Sequence, residues 1–314
     1  MSALRKLLVS SILGSALLVA PSAFADGISI AASALPNETR AKLENDIAAA
    51  KASQPKAFVA VKNLKGHRPE HYGKNRNPFP TVSRELRGLG APALLPMLEA
   101  LAFTAPDRGQ LSDAEWDALA IGMLEAVGVI KDARAGAVVG AIFESSSVRP
   151  AVRLAAARAA GRLGGDAQLA LLTGHAKSGD SLQLAAVHGL GEMMRLEAAK
   201  HVAQILGSTK DAAVAEAAAT ALGTLGSSWG WKSLGPKAAA MGLEVRKLCA
   251  NALVPRALRG KQSLRKAAAE SVMMVEHPAT LDLLRAERAA PGVDAREVDA
   301  LIAKVERQQK RAPK

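Results

Sequence analysis

One short pattern occurs three times between residues 152 and 223, and it constrains the fold more than any other feature. The copies cover 152–161, 182–191 and 214–223, so they begin 30 and then 32 positions apart. Each copy starts with an aliphatic residue, has small apolar residues in its middle and closes on a glycine nine positions later. A fixed period of this length is typical of stacked structural repeats, in which each unit buries its apolar face only against its neighbours.

The residues within and after each copy predict two helices per repeat. Alanine favours helix, and we expect each closing glycine to adopt the left-handed conformation that ends a helix. Eleven positions after the glycines at 90, 128, 161, 191 and 223 stand aliphatic residues, namely Leu101, Val139, Leu172, Val202 and Leu234. A constant offset predicts a second helix in the same register. The sequence therefore predicts an all-α solenoid of stacked antiparallel helix pairs.

The residues at the repeat positions resemble those of HEAT repeats, and most of all the short bacterial HEAT-like repeats of the phycobilisome-lyase type. The likeness rests on Val152-Arg153, Ala155-Ala156, and Leu163-Gly164 with Asp166 just beyond. The opening pair returns at Val245-Arg246 and Leu264-Arg265, which predicts a sixth, irregular unit and a seventh. The resemblance covers roughly residues 81–290 and implies an armadillo/HEAT-like superhelix. Because the motif consists of packing residues, it implies no particular activity.

The chain divides into four predicted segments. These are a signal peptide at 1–25, a capping helix and irregular loop at 26–80, the solenoid at 81–290, and a capping helix with a basic tail at 291–314. The first segment has Arg5 and Lys6, then the apolar run 7–20, and then the small-residue site Ala23-Phe24-Ala25. This order is typical of a secretory signal peptide cleaved before Asp26. We therefore expect a periplasmic or secreted bacterial protein.

The charge of the chain favours acidic partners. Removing Arg5 and Lys6 from the 41 basic residues leaves 39 against 29 acidic residues, a net charge of +10. Such an excess attracts negatively charged surfaces over long range. The alternative interpretation is that the charge only keeps an alanine-rich solenoid soluble. We expect a monomer that binds an acidic protein partner, with an anionic envelope surface as an alternative, and we expect neither nucleic-acid binding nor a transmembrane segment.

Seven residues are candidates for partner binding. In a solenoid the concave surface is the usual binding surface, and second helices are expected to line it. Lys200 and Lys232 both stand nine positions after a closing glycine, so they are expected to align on adjacent second helices. The other candidates are cationic or aromatic residues in the same part of the repeats, namely Arg134, Lys177, His201, Trp229 and Trp231. The two tryptophans either fill gaps in the alanine-rich core or contact a partner, where tryptophan is enriched.

No motif in the chain predicts catalysis, and we expect a scaffold that is not an enzyme and holds no cofactor. The string His67-Arg68-Pro69-Glu70-His71 matches the order of an inverted zinc peptidase motif, but Pro69 disrupts the helix which that chemistry needs. We therefore expect a solvated loop without metal, with an adventitious or structural zinc site of His67, Glu70 and His71 as the alternative. The lone Cys249 is expected to be a core residue. The alternative, supported by the resemblance alone, is an accessory subunit or a lyase-like enzyme.

Overall fold

The computed structural model describes residues 27–64, 81–232 and 234–311, and all regular structure in these ranges is helical. The signal-peptide segment and the His67–His71 string lie outside them. The described ranges contain α1 (Asn37–Ser53), α2 (Pro55–Lys62), α3 (Thr81–Gly88), α4 (Leu94–Ala102), α5 (Asp113–Ile130), α6 (Gly136–Glu144), α7 (Pro150–Leu163), α8 (Asp166–Ser178), α9 (Gln183–Glu192), α10 (Leu196–Ser208), α11 (Ala212–Leu225), α12 (Ser228–Lys232), α13 (Pro236–Leu258), α14 (Gln262–Met274), α15 (Ala279–Glu287) and α16 (Ala295–Arg311).

The helices form two stacked layers. The first helices of successive pairs pack side by side in the order α3, α5, α7, α9, α11 and α14. The second helices of these pairs are α4, α6, α8, α10, α13 and α15, and each also contacts its neighbours in the second layer. At the two ends, α1 and α2 pack on α4, and α16 packs on α14 and α15. The predicted solenoid of helix pairs is therefore confirmed.

Polar side chains mark where several first helices begin. Ser112 and Glu115 form a capping box at the start of α5, each side chain accepting a backbone N–H from the other residue. Asp211 caps α11, where its carboxylate accepts a hydrogen bond from the N–H of Val214 at 3.0 Å. These bonds satisfy N–H groups that have no partner within the helix. The short polar turns between pairs therefore determine where each repeat starts.

The closing glycines do not end their helices, so that prediction was wrong. Gly161, Gly191 and Gly223 lie inside α7, α9 and α11, and all three are buried. A Cβ added to Gly161 would lie 2.9 Å from the carbonyl carbon of Gly189 on the next first helix. A Cβ at Gly191 would come equally close to the Cα of Ala221. Glycine is needed here because neighbouring first helices bring their backbones into contact.

The offset of eleven residues from a glycine of the first helix to an aliphatic residue of the second locates four second helices correctly and fails at the fifth. Leu101, Val139, Leu172 and Val202 are fully buried in α4, α6, α8 and α10, whereas Leu234 lies exposed in a turn. The structure places Val245, predicted to open a sixth unit, inside α13, which serves as the second helix of the fifth pair. The next first helix is α14, and its pattern begins at Leu264, 50 positions after Val214. The fifth pair is thus longer than the others.

Candidate interaction surface

Ion pairs between successive repeats occupy many of the basic side chains. Arg162 contacts Glu192 at 3.1 Å, and Arg195 contacts Asp166 at 2.7 Å, which in both cases joins residues about one repeat apart. Further contacts of the same span join Arg149 to Asp117, Arg259 to Glu287 and Arg265 to Glu297. A guanidinium that already has a carboxylate partner attracts an external anion less. These arginines therefore join repeats, and the binding candidates must be sought elsewhere.

His175 joins two repeats through its ring. Nδ1 lies 2.8 Å from Oδ2 of Asp180, and Nε2 lies 3.2 Å from Oε1 of Glu144 in the preceding pair. Burial of the ring lowers the pKa of His175, but the hydrogen bonds to the two carboxylates outweigh burial and raise it overall. The ring also meets Phe143 edge to face, with centroids 5.3 Å apart. His175 is thus a half-buried residue that packs between two repeats.

Three candidates form a cationic cluster on the second layer. Lys177 lies near the end of α8, while Lys200 and His201 lie on α10, which packs beside α8. Both lysines are exposed and have no ion pair among the residues that the structure describes. His201 is half-buried, and burial followed by repulsion from Lys177 lowers the pKa of its ring. The lysines therefore carry the positive charge of this cluster at neutral pH.

Arg134 is not free to attract an anion. It lies in the 3-10 turn Ala133–Ala135 before α6, where its guanidinium binds the carboxylate of Asp132 at 2.7 to 3.2 Å. This pairing raises the pKa of Arg134 and lowers that of Asp132. The sequence could have predicted this ion pair, because Asp132 stands only two residues before Arg134 in a turn.

Lys232 and the two tryptophans lie on α12, not on a regular second helix. The predicted alignment of Lys232 with Lys200 is therefore wrong, because residues 226–235, which include α12, separate α11 from its second helix α13. By contrast, only Gly164 and Gly165 separate α7 from α8. A longer connection thus replaces the short turn of the other pair. We call this connection together with the first nine residues of α13, 226–244, the insertion.

The two tryptophans have opposite environments. Trp231 is buried; its indole N–H donates to the carbonyl oxygen of Leu225 at 2.7 Å, and its ring packs against Gly242 of α13. It cannot contact a partner, so its place among the binding candidates is corrected to a core residue. Trp229, two residues earlier, is exposed. Of the pair, only Trp229 is available for binding.

Among the described residues the cysteine is not placed to react, and no metal-binding cluster is found. Cys249 is fully buried in α13, and burial raises the pKa of its thiol to about 12, so the thiol stays protonated and unreactive. Within ranges 27–64, 81–232 and 234–311, no cluster of three or more histidine, cysteine or acidic side chains is arranged to hold a metal ion. The same ranges contain no helix with the length and apolar character needed to cross a bilayer.

Helix pairs stacked at a period of about 30 residues, with first helices in backbone contact, define the class of this protein: it is a helical repeat protein with a HEAT-like solenoid fold. Three solved structures are similar to it in fold. Human deoxyhypusine hydroxylase matches at 15% identity over 84% of this chain and 98% of its own, with a TM-score of 0.30. An engineered protein matches at 19% identity over 65% of this chain and 93% of its own, with a TM-score of 0.34.

The third similar structure is the complex of CpcE and CpcF of phycocyanin lyase from Nostoc sp. PCC7120, at 17% identity over 66% of this chain and 98% of the other, with a TM-score of 0.27. No family model and no curated protein matches the sequence. The prediction that the protein is not an enzyme is withdrawn, because two of the three similar structures are named as enzymes. The likeness is one of fold alone and assigns no reaction or substrate to this chain.

Proposed function

We propose that the protein is an exported HEAT-like scaffold that binds an acidic protein partner through the exposed side of its second helices. The strongest support is a contrast in ion pairing between the arginines that join repeats and the lysines of the second layer. Arginines such as Arg162 and Arg195 are paired across repeats, whereas Lys177 and Lys200 stand exposed and unpaired on adjoining second helices. Charges placed in this way attract and orient an acidic surface. That this side is also the concave one stays a prediction.

Two variants test the proposed binding surface. Lys177→Glu with Lys200→Glu reverses two charges on the second layer, and Lys261→Glu with Lys266→Glu reverses two exposed, unpaired charges at the start of α14. The immobilised mature protein should capture its partner from the envelope fraction, and the first variant should retain it at least about tenfold more weakly. The second variant should bind as the unchanged protein does. Equal retention by both variants would contradict the proposal.

Export is the second part of the proposed function and has its own test. The order of Arg5, Lys6, the apolar run 7–20 and Ala23-Phe24-Ala25 supports it. We expect the protein purified from the cell envelope to begin at Asp26 when its N-terminus is sequenced, and Ala23→Lys with Ala25→Lys to leave the uncleaved chain. An intact chain in the cytosol of unaltered cells would refute export and leave the binding surface to be tested separately.

A further inference from the structure

The insertion concentrates exposed apolar side chains. Trp229, Leu234, Met241 and Leu243 are 79%, 41%, 51% and 48% exposed, and they are four of the eight large apolar residues that are exposed in the described parts of the chain. Isolated exposed apolar residues are ordinary, but a cluster within fifteen positions marks an interaction site. In repeat proteins, insertions of this kind often carry the binding function.

Two contacts hold the insertion in place. The ring of Trp231 packs on Gly242, which joins α12 to the first turns of α13. Gly230 lies against the side chain of Met194, in the turn between α9 and α10. Apart from Gly242, no described side chain between 236 and 244 is buried. These contacts hold the insertion against α13 and the turn between α9 and α10, and its exposed apolar residues precede and follow Trp231 and Gly242 in the sequence.

Basic side chains accompany the apolar cluster. Lys232 ends α12, and Lys247 lies one turn beyond the insertion on α13; both are exposed and have no ion pair within the described ranges. Glu244 is the one acidic residue between positions 226 and 247. The insertion and its surroundings thus combine exposed apolar side chains with unpaired positive charges.

We propose that the insertion docks the protein on the surface of an anionic bilayer. Tryptophan suits this place because its indole has both an apolar body and a polar N–H. Leucine and methionine side chains enter the boundary between headgroups and acyl chains, while neighbouring lysines extend their charged ends to the lipid phosphates. A bilayer accepts exposed apolar side chains without needing a complementary pocket, and its anionic headgroups complement the charges of Lys232 and Lys247. These two features favour an anionic bilayer as the occupant.

The test uses the mature protein and two kinds of lipid vesicle. Vesicles of phosphatidylcholine mixed with phosphatidylglycerol supply an anionic surface, and vesicles of phosphatidylcholine alone supply a neutral one. Co-sedimentation should show binding to the anionic vesicles that weakens with added salt. The tryptophan emission should shift to shorter wavelength on binding, and the shift should be largely lost in Trp229→Phe. Absence of binding to the anionic vesicles would overturn the proposal.

Matched variants separate the insertion from net charge. Trp229→Ser with Leu243→Ser should weaken partitioning at least about tenfold, because each buried apolar side chain contributes to insertion. Val129→Ser with Leu184→Ser removes two other exposed apolar residues, from α5 and α9, and should have no effect. Lys232→Glu with Lys247→Glu should also weaken partitioning at least about tenfold, and Lys261→Glu with Lys266→Glu should change it far less.

Circular dichroism and thermal unfolding should show that all four variants keep the fold. If the insertion variants and their controls lost vesicle binding equally, overall charge or overall surface apolarity would be responsible for the binding. That result would overturn the proposal. Unchanged vesicle binding by the Trp229 and Leu243 variant, together with loss of the acidic protein partner, would assign the insertion to a protein interface instead. The Lys177 and Lys200 variant should bind vesicles normally, so failure of this proposal is distinguishable from failure of the proposed scaffold function.

Discussion

Gly161→Ala is expected to lower the free energy of unfolding by about 3 kcal/mol, although alanine is the better helix former. The added Cβ would overlap the carbonyl group of Gly189, a backbone atom that cannot rotate away as a side chain could. To make room, α7 and α9 would have to separate, which loosens the layer of first helices on both sides. Overpacking of a closely fitted core typically costs about 1–3 kcal/mol and occasionally more.

Gly174→Ala is the matched control, and it should raise the free energy of unfolding where Gly161→Ala lowers it. Gly174 is an exposed residue inside α8, and a Cβ added there meets nothing within 4 Å. The substitution should therefore stabilise the protein by about 0.5–1 kcal/mol through helix propensity alone. Urea unfolding followed by circular dichroism measures both changes. If Gly161→Ala were neutral or stabilising, neighbouring first helices would not be in backbone contact.

Trp231→Ala is expected to destabilise the protein by about 3–5 kcal/mol, the usual cost of removing a fully buried tryptophan. The ring fills the space between α12 and Gly242, and its N–H satisfies the carbonyl oxygen of Leu225 at the end of α11. Its removal leaves both a cavity and a buried carbonyl group without that partner. We expect α12 and the first turns of α13 to become the least stable part of the fifth pair.

Trp229→Ala should change the free energy of unfolding by no more than about 0.5 kcal/mol, because its side chain is exposed. The two variants remove the same side chain from positions two residues apart, so propensity and composition are matched. Chemical unfolding of both, followed by far-ultraviolet circular dichroism, gives the comparison directly. Similar losses in the two variants would show that the insertion does not pack through Trp231.

The sequence was sufficient to predict the repeats where each repeat obeys the same spacing. Val139, Leu172 and Val202 fall on buried positions of second helices because the turns before them are short. The prediction failed at Val245 because closely packed helices need small apolar residues in the first layer and in the second layer alike. The repeated pattern therefore indicates that a helix is buried, but it does not indicate to which of the two layers the helix belongs. The spacing of 50 residues between Val214 and Leu264 is the signal that would have revealed the insertion.

The candidate surface was harder to predict than the fold, because exposure depends on neighbours that are distant in sequence. Nothing local distinguishes Trp229 from Trp231; the difference comes from Gly242, whose missing side chain admits one ring. Met241 and Leu243 were missed for the same reason, since helical apolar residues are usually buried. Lys177 and Lys200 were predicted from their positions in the repeats. That neither lysine forms an ion pair with a described residue emerged only from the structure.

The most direct test of the proposed function is the rate at which the protein associates with its captured partner. We predict that Lys177→Glu with Lys200→Glu slows association at least about tenfold at low salt. The difference in association rate between this variant and the unchanged protein should shrink as salt is added, because charges are screened over about 8 Å at physiological ionic strength. Lys261→Glu with Lys266→Glu should stay within about twofold of the unchanged protein. Equal slowing by both variants would show that total charge, and not the second helices, governs recognition.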